Sequence, residues 1–337
     1  MIINEKAYPR AGLVGNPSDG FFGKTIAFAF TNFSVRVVLF ESPEIDLVPS
    51  ERDHSHFESM HKLVDDVRLY GYYGGIRLLK SAVKRFHQYC NEVEHHLDDR
   101  NFTIRYDSNI PHLVGLAGSS AIITACIRAL MRFYGVEIPK PVLANLVLAV
   151  EKDELGISAG LQDRVVQAYQ GLVYMDFDKA IMDRDGYGRY EELDPASLPP
   201  LFIAYRDDLS ESSEVVHNNL TQRFTENDSE VLDAMTFWAD LTGKVRDELV
   251  SGNASGIGQY LDMNFDRRAS LCVIGEGNQS MIETARELGC SAKFTGSGGA
   301  IIGTYEDEKM FSELEKRMLP SNVKVIKPII ASPRESQ

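Results

Sequence analysis

The chain predicts a mixed fold of helices and strands in two domains, and three observations carry the prediction. Segments alternating with period two are interspersed with segments of helical spacing along the chain. Its 337 residues are enough for two domains of ordinary size, each with a real core. A turn-rich run over 178–200, containing DRDGYGRY and SLPP, reads as the crossing between them. The division is therefore expected at 1–195 and 196–337.

Composition narrows the function. Hydrophobic residues make up 44% and charged residues 25%, as in a soluble globular protein. No apolar run approaches the roughly 20 residues a membrane-crossing helix needs. The N-terminal MIINEKAYPR lacks the apolar core of a signal peptide, so a cytoplasmic protein is expected. A formal net charge of −14 argues against nucleic acid, whose phosphates are bound by basic surface. It leaves room for a local basic pocket for ATP. The four cysteines have no CxxC spacing and read as thiols, not as disulfides or metal ligands.

Taken in order, residues 10–23 read RAGLVGNPSDGFFG, a short strand at Leu13 and Val14 that breaks into turn residues. Such turns set polar groups at a strand end, where substrates are often held. Residues 25–42 predict one or two strands, followed by a polar loop with Glu51, Arg52, Asp53 and His54 and a helix over 74–96. In 101–110, Phe102, Ile104 and Tyr106 alternate as in a half-buried strand.

Next comes PHLVGLAGSSA, residues 111–121, and then a helix that runs to Gly135. Gly115 and Gly118 allow a tight turn, and Ser119 and Ser120 stand at the helix start as caps. The helix dipole there favours an anion such as a phosphate. The plain alternative is an N-capped helix after a flexible turn. A Walker A loop is ruled out, because no Lys follows the last Gly, and a dinucleotide fingerprint lacks its acidic ribose ligand.

A helix over 139–154 carries Glu151 near its end, an ordinary place for an exposed Glu. Twelve residues on comes Asp163 (163 − 151 = 12), past a glycine-bounded turn at 156–160 that lets the two carboxylates converge. A strand at 172–177 closes this half. The second half begins with a strand at 201–205. Helices follow over 231–249, which holds the single Trp238 as core, and over 257–270. Arg267 and Arg268 are either solvated or turned to a substrate anion. After a helix over 280–288, the text SAKFTGSGGAIIGTYE turns at 296–299 between two strands, and a helix over 309–318 and a strand over 323–326 complete the chain.

Three of these stretches together resemble the motifs of the GHMP small-molecule kinases. Pro111, Gly115, Leu116, Ser119, Ser120 and Ala121 match P-x-x-x-G-L-x-S-S-A, with Ala117-Gly118 taking one residue more than the commonest spacing. Aligned through Leu13, Gly15 and Asp19, the first motif has Arg10 at its Arg, Asn16 at its Glu and Pro17 at its His, a departure from the galactose pattern. Lys293, Gly296, Gly298 and Gly299 match the third motif. The resemblance implies an α+β, two-domain GHMP kinase fold: an N-terminal domain like the second domain of ribosomal protein S5 and a ferredoxin-like C-terminal domain.

It also implies roles for single residues. ATP would lie on Gly115, Leu116, Ala117, Gly118, Ser119, Ser120 and Ala121, and Mg²⁺ would be held by Ser120 and Glu151. Asp163 would be the base toward the acceptor hydroxyl, with Arg10 beside it. Asn16, Asp19, Gly296, Ser297 and Gly298 would border the substrate. Within the family, GNPSDGFFGKTI, EKDELGISAGLQDRVVQAYQGLVYMDF and SAKFTGSGGA are similar to the plant-type glucuronokinases, which implies phosphorylation of D-glucuronate at its anomeric hydroxyl. A sugar acid calls for a cation, and Arg164 is the first choice, with Lys24 and Arg36 as rivals. Two other readings stay open: a kinase for another small acceptor, and a nucleotide or sugar sensor without catalysis. A homodimer is left open.

Overall fold

Three four-stranded sheets organise the molecule, a computed structural model that describes residues 1–50, 53, 59–60, 74–206 and 220–334. Of the polar loop expected after the first strands, Glu51, Arg52 and His54 lie outside the described residues. The first sheet has strand order β1-β4-β6-β5, from β1 (Ile2–Ala7), β4 (Val35–Ser42), β5 (Asp46–Val48) and β6 (Asn101–Ser108). Only the β5–β6 pair is parallel. The second, all antiparallel, runs β2-β3-β7-β8, from β2 (Arg10–Val14), β3 (Lys24–Ala29), β7 (Leu172–Asp176) and β8 (Arg189–Leu193). The third, also antiparallel, runs β10-β11-β9-β12, from β9 (Leu201–Tyr205), β10 (Lys293–Phe294), β11 (Ala300–Thr304) and β12 (Lys324–Ile326).

Helices α1 (Gly75–Glu92), α2 (Gly118–Tyr134), α3 (Lys140–Ala149) and α4 (Gln162–Tyr169) cover the first half; a short α5 (Lys179–Asp185) precedes β8. The second half adds α6 (Ser229–Ser251), α7 (Ile257–Leu271), α8 (Glu276–Glu287) and α9 (Glu308–Met318). Every residue of β2 is buried, as is nearly all of β3 and β7. Their sheet lies between α4 on one side and α6, from the second half, on the other. That explains continuous apolar runs where a one-sided sheet would alternate.

The structure refines or corrects the sequence reading in four places. The crossing over 178–200 contains α5 and β8, and β8 extends the second sheet by pairing with β7. The segment 25–42 is two strands that belong to different sheets. Strand β1 went unread because its inward position 5 is Glu5, a charge kept buried by Arg132 and Arg334. The helix expected over 139–154 ends at Ala149, and Val150–Glu154 forms a π-helical turn.

Trp238 is fully buried, as expected of core, and the four cysteines are free thiols. No helix among the described residues is long and apolar enough to cross a membrane.

Candidate active site

The site grows from the first residue of β2. Arg10 is buried, and its Nε donates to Asp163 Oδ1 at 2.7 Å, with Nη2 2.5 Å from the same oxygen. Its Nη1 donates to the carbonyls of Gly115 at 3.1 Å and Thr295 at 2.7 Å. One guanidinium thus ties together segments 105 and 285 residues away, around the carboxylate of Asp163.

Asp163 sits in the first turn of α4, where the helix dipole favours a negative charge. Its side chain is 17% exposed, and its Oδ2 lies 3.1 Å from Arg164 Nη1. Burial by itself would raise its carboxyl; the Arg10 and Arg164 guanidinium groups outweigh that and hold it below the ordinary carboxylate range. Asp19 reaches the same place from the turn after β2, accepting from Gln162 N at 3.4 Å. Its carboxyl is pushed up to about 6 by burial, and further by the charge of Asp163. Two carboxyl groups side by side are therefore driven in opposite directions.

Arg164 does not offer itself to a ligand. Its Nε donates to Glu151 Oε2 at 2.6 Å, its Nη2 to the same oxygen, and its Nη1 to Gly160 O at 2.8 Å. Spent on protein groups and nearly buried, it is a holder of two carboxylates and not the free cation expected for a sugar acid. Lys24 pairs with Asp176 at 3.3 Å, and Arg36 donates to Asn4 Oδ1 from the outer sheet.

Glu151 is buried in the first turn of the π-helical segment; such turns often mark functional sites. Burial pushes its carboxyl up while Arg164 draws it back. Its Oε1 makes no hydrogen bond among the described residues. Ser120, also buried, donates from Oγ to Ala117 O at 3.2 Å and keeps its lone pairs. No group of three or more acidic, His or Cys side chains among the described residues could hold a metal alone. A carboxylate oxygen and a hydroxyl are the kinds of donor Mg²⁺ takes, since this ion uses few protein ligands and completes its shell from phosphate and water.

The glycine turns interlock. Helix α2 starts after Ala117, held at φ 61, and neither serine caps it, contrary to expectation. Ala117 tolerates this strained conformation because Gln167 Nε2 binds its carbonyl at 2.8 Å. Gly115 has φ +69, and a Cβ there would fall 2.8 Å from Gly298 O. Leu116 is buried, with its carbonyl accepting from Arg10 N at 3.1 Å. Gly118 and Ser119 open the helix, and Ala121 N closes its first turn on Ala117 O. Facing them, Arg268 Nη1 and Nη2 donate to Gly296 O and Ser297 O at 2.7 and 2.9 Å. The Arg267-Arg268 pair therefore divides, with Arg268 buried in the site and Arg267 bonded to Glu230 O.

Two more residues, one from α7 and one from β10, complete the site. Asn264 of α7 accepts from Gly15 N at 2.7 Å and donates to Asn16 O at 3.1 Å. Lys293 matched the third motif but had no role; its Nζ is buried and bonded to Gly12 O, Asn16 Oδ1 and Phe294 O at 2.9, 2.7 and 2.5 Å. Burial, with Arg268 and Arg10 nearby, pushes its amine well below the ordinary value, while three acceptors each claim one of its protons. A lysine inside the apolar strand text SAKF was the available signal.

The chain that carries these turns belongs to a known class. Residues 77–171 match the GHMP kinases N terminal domain, and the chain belongs to the GHMP kinase family. Over 308 residues, 89% of its length, it is 42% identical to probable glucuronokinase 2 of Arabidopsis thaliana, covering 84% of that protein. It is 40% identical to glucuronokinase 1 of the same plant over 306 residues, with the same coverage. The α+β fold is shared more widely. Mevalonate kinase of Methanococcus jannaschii superposes with a TM-score of 0.72 over 98% of both chains at 18% identity. Lactococcus lactis galactokinase, complexed with galactose, gives 0.73 at 15% identity over 100% of this chain and 95% of that one.

Proposed function

We propose that this kinase transfers the γ-phosphoryl group of ATP to the anomeric hydroxyl of D-glucuronate, giving glucuronate 1-phosphate and ADP. The observation that carries the chemistry is the Arg10–Asp163 pair set against both glycine turns. The relationship to two glucuronokinases over nearly the whole chain supports the acceptor.

The phosphates lie on the turn 115–121 at the start of α2, and the substrate is bordered by Asn16, Asp19 and the turn 296–298. Ser120 and Glu151 would hold Mg²⁺, which when bound offsets charge on the phosphate oxygens. Asp163 accepts a hydrogen bond from the anomeric hydroxyl and orients its oxygen on the γ-phosphorus. As the new P–O bond forms and the bond to the ADP oxygen breaks, the hydroxyl proton passes to Asp163. A carboxylate drawn below its ordinary range is a weak base. This suits a loose transition state, in which the proton leaves late, and an anomeric hydroxyl, which is more acidic than an ordinary alcohol. Arg10 keeps Asp163 ionised and neutralises developing charge.

The test is ADP release from ATP and Mg²⁺ with glucuronate, galacturonate, glucose and galactose, followed by phosphorus NMR of the product. Glucuronate should be preferred, with its phosphorus coupled to the anomeric proton. Preference for a neutral sugar, or phosphate on another carbon, would overturn the assignment.

A further inference from the structure

The segment at Gly15 and Asn16 is gripped by residues 248 to 281 positions further along the chain. Asn264 binds it from both sides of one peptide unit, accepting from Gly15 N and donating to Asn16 O. Lys293 Nζ spans Gly12 O and the Asn16 side-chain Oδ1. Asn264 and Lys293 are each 1% exposed, so neither contact competes with bulk water.

Lys293 Nζ donates to the acceptors around it, so the Asn16 amide has one way to face it, with its oxygen inward. Its Nδ2 is then turned to the opposite edge, where it makes no hydrogen bond among the described residues. The N–H donated to its oxygen polarises the amide and strengthens that outward N–H₂ as a donor. The position is also the one at which the family motif commonly carries Glu, an acceptor with a negative charge. We infer that Lys293 and Asn264 are positioning residues for specificity: they present the N–H₂ end of Asn16 to the acceptor and so select a sugar that carries a carboxylate.

The inference rests on the proposed function for its sugar, and it supplies the positive end that Arg164, committed to Glu151 and Asp163, does not. A carboxylate accepts from a polarised amide through a charge-assisted hydrogen bond, about twice as strong as a neutral one. A glutamate in the place of Asn16 would repel it.

Two full-length variants test this, Asn16→Asp and Lys293→Met, each assayed with D-glucuronate and with D-glucose. Asn16→Asp keeps the side-chain shape and gives Lys293 a counter-charge, so its thermal midpoint should equal or exceed that of the unchanged protein. Its KM for glucuronate should rise at least ~10-fold and the glucuronate-to-glucose ratio of kcat/KM should fall at least ~10-fold, with the KM for ATP within about twofold. Lys293→Met should lower the same ratio, and in the double variant the two losses should not add, because both act through one amide.

An unchanged ratio in Asn16→Asp, with the unchanged protein still preferring glucuronate, overturns the inference and leaves the proposed function standing. A preference for glucose in the unchanged protein overturns both. Independent, additive losses also overturn the inference, and if Lys293→Met does not fold, Asn16→Asp decides alone.

Discussion

Asp19 is where stability and function pull apart. Its carboxyl titrates at an ordinary 3.8 in the unfolded chain and at about 6 in the fold. The folded form thus holds its proton more tightly. Stability falls as pH rises between those values, and the whole loss is present by pH 7. Asp19→Asn, which mimics the protonated group, should recover about 3 kcal/mol at pH 7.5, a gain of a few degrees in thermal midpoint, and almost nothing at pH 3.5. Its KM for the acceptor should rise if Asp19 borders the sugar. Equal gains at both pH values would mean that the carboxyl is not strained by burial. Arg164 gives a second prediction at this scale. Arg164→Gln strands Glu151 in the interior and should cost about 3 kcal/mol. Its kcat should drop on charged and neutral sugars alike, because Asp163 and Glu151 both lose a partner. A rise in KM confined to glucuronate would restore Arg164 as the carboxylate's partner.

Elements bring these residues together through turns that tolerate no added carbon. A Cβ at Gly296 would lie 2.7 Å from Gly115 O and 2.9 Å from Arg10 Nη1, so Gly296→Ala presses two glycine turns and the Asp163 pair apart. Its kcat/KM for ATP should fall at least ~10-fold, since small displacements at a reacting centre are amplified in rate. Gly20→Ala is the control, because nothing lies within 4 Å of its Cβ. Equal activity in both variants would show that the contact between the turns is not needed.

The whole molecule behaves as one body with a division in its sheets. The sheet that holds Arg10 is covered by α6, and the main core runs from Ile3 to Ala331 through residues of both halves. The last described residues return to the first sheets: Ala331 N donates to Ala29 O at 2.8 Å, and Arg334 binds both Tyr169 O and Glu5. Removing residues 328–337 should lower stability by about 2–4 kcal/mol, through loss of these bonds and of one of the two cations on buried Glu5. Differential scanning fluorimetry checks this, and a midpoint within about 1 °C of the full chain would show the tail to be dispensable.

From the sequence alone came the elements with strong periodicity, the glycine turns, and Asp163 and Glu151 as carboxylates able to converge, because each leaves its mark within a few neighbouring residues. The chain by itself also determined its kinase family, through three short motifs in order. What Glu151 and Arg164 do to each other was not legible, since an ion pair formed across a π turn has no pattern in the text. Nor was the hold of Lys293 and Asn264 on Asn16, whose partners stand 248 and 277 residues apart. Only the tertiary structure decided which end of that amide faces outward and that Arg164 is committed to two carboxylates, because a buried polar group takes its orientation from whatever partner the fold sets against it.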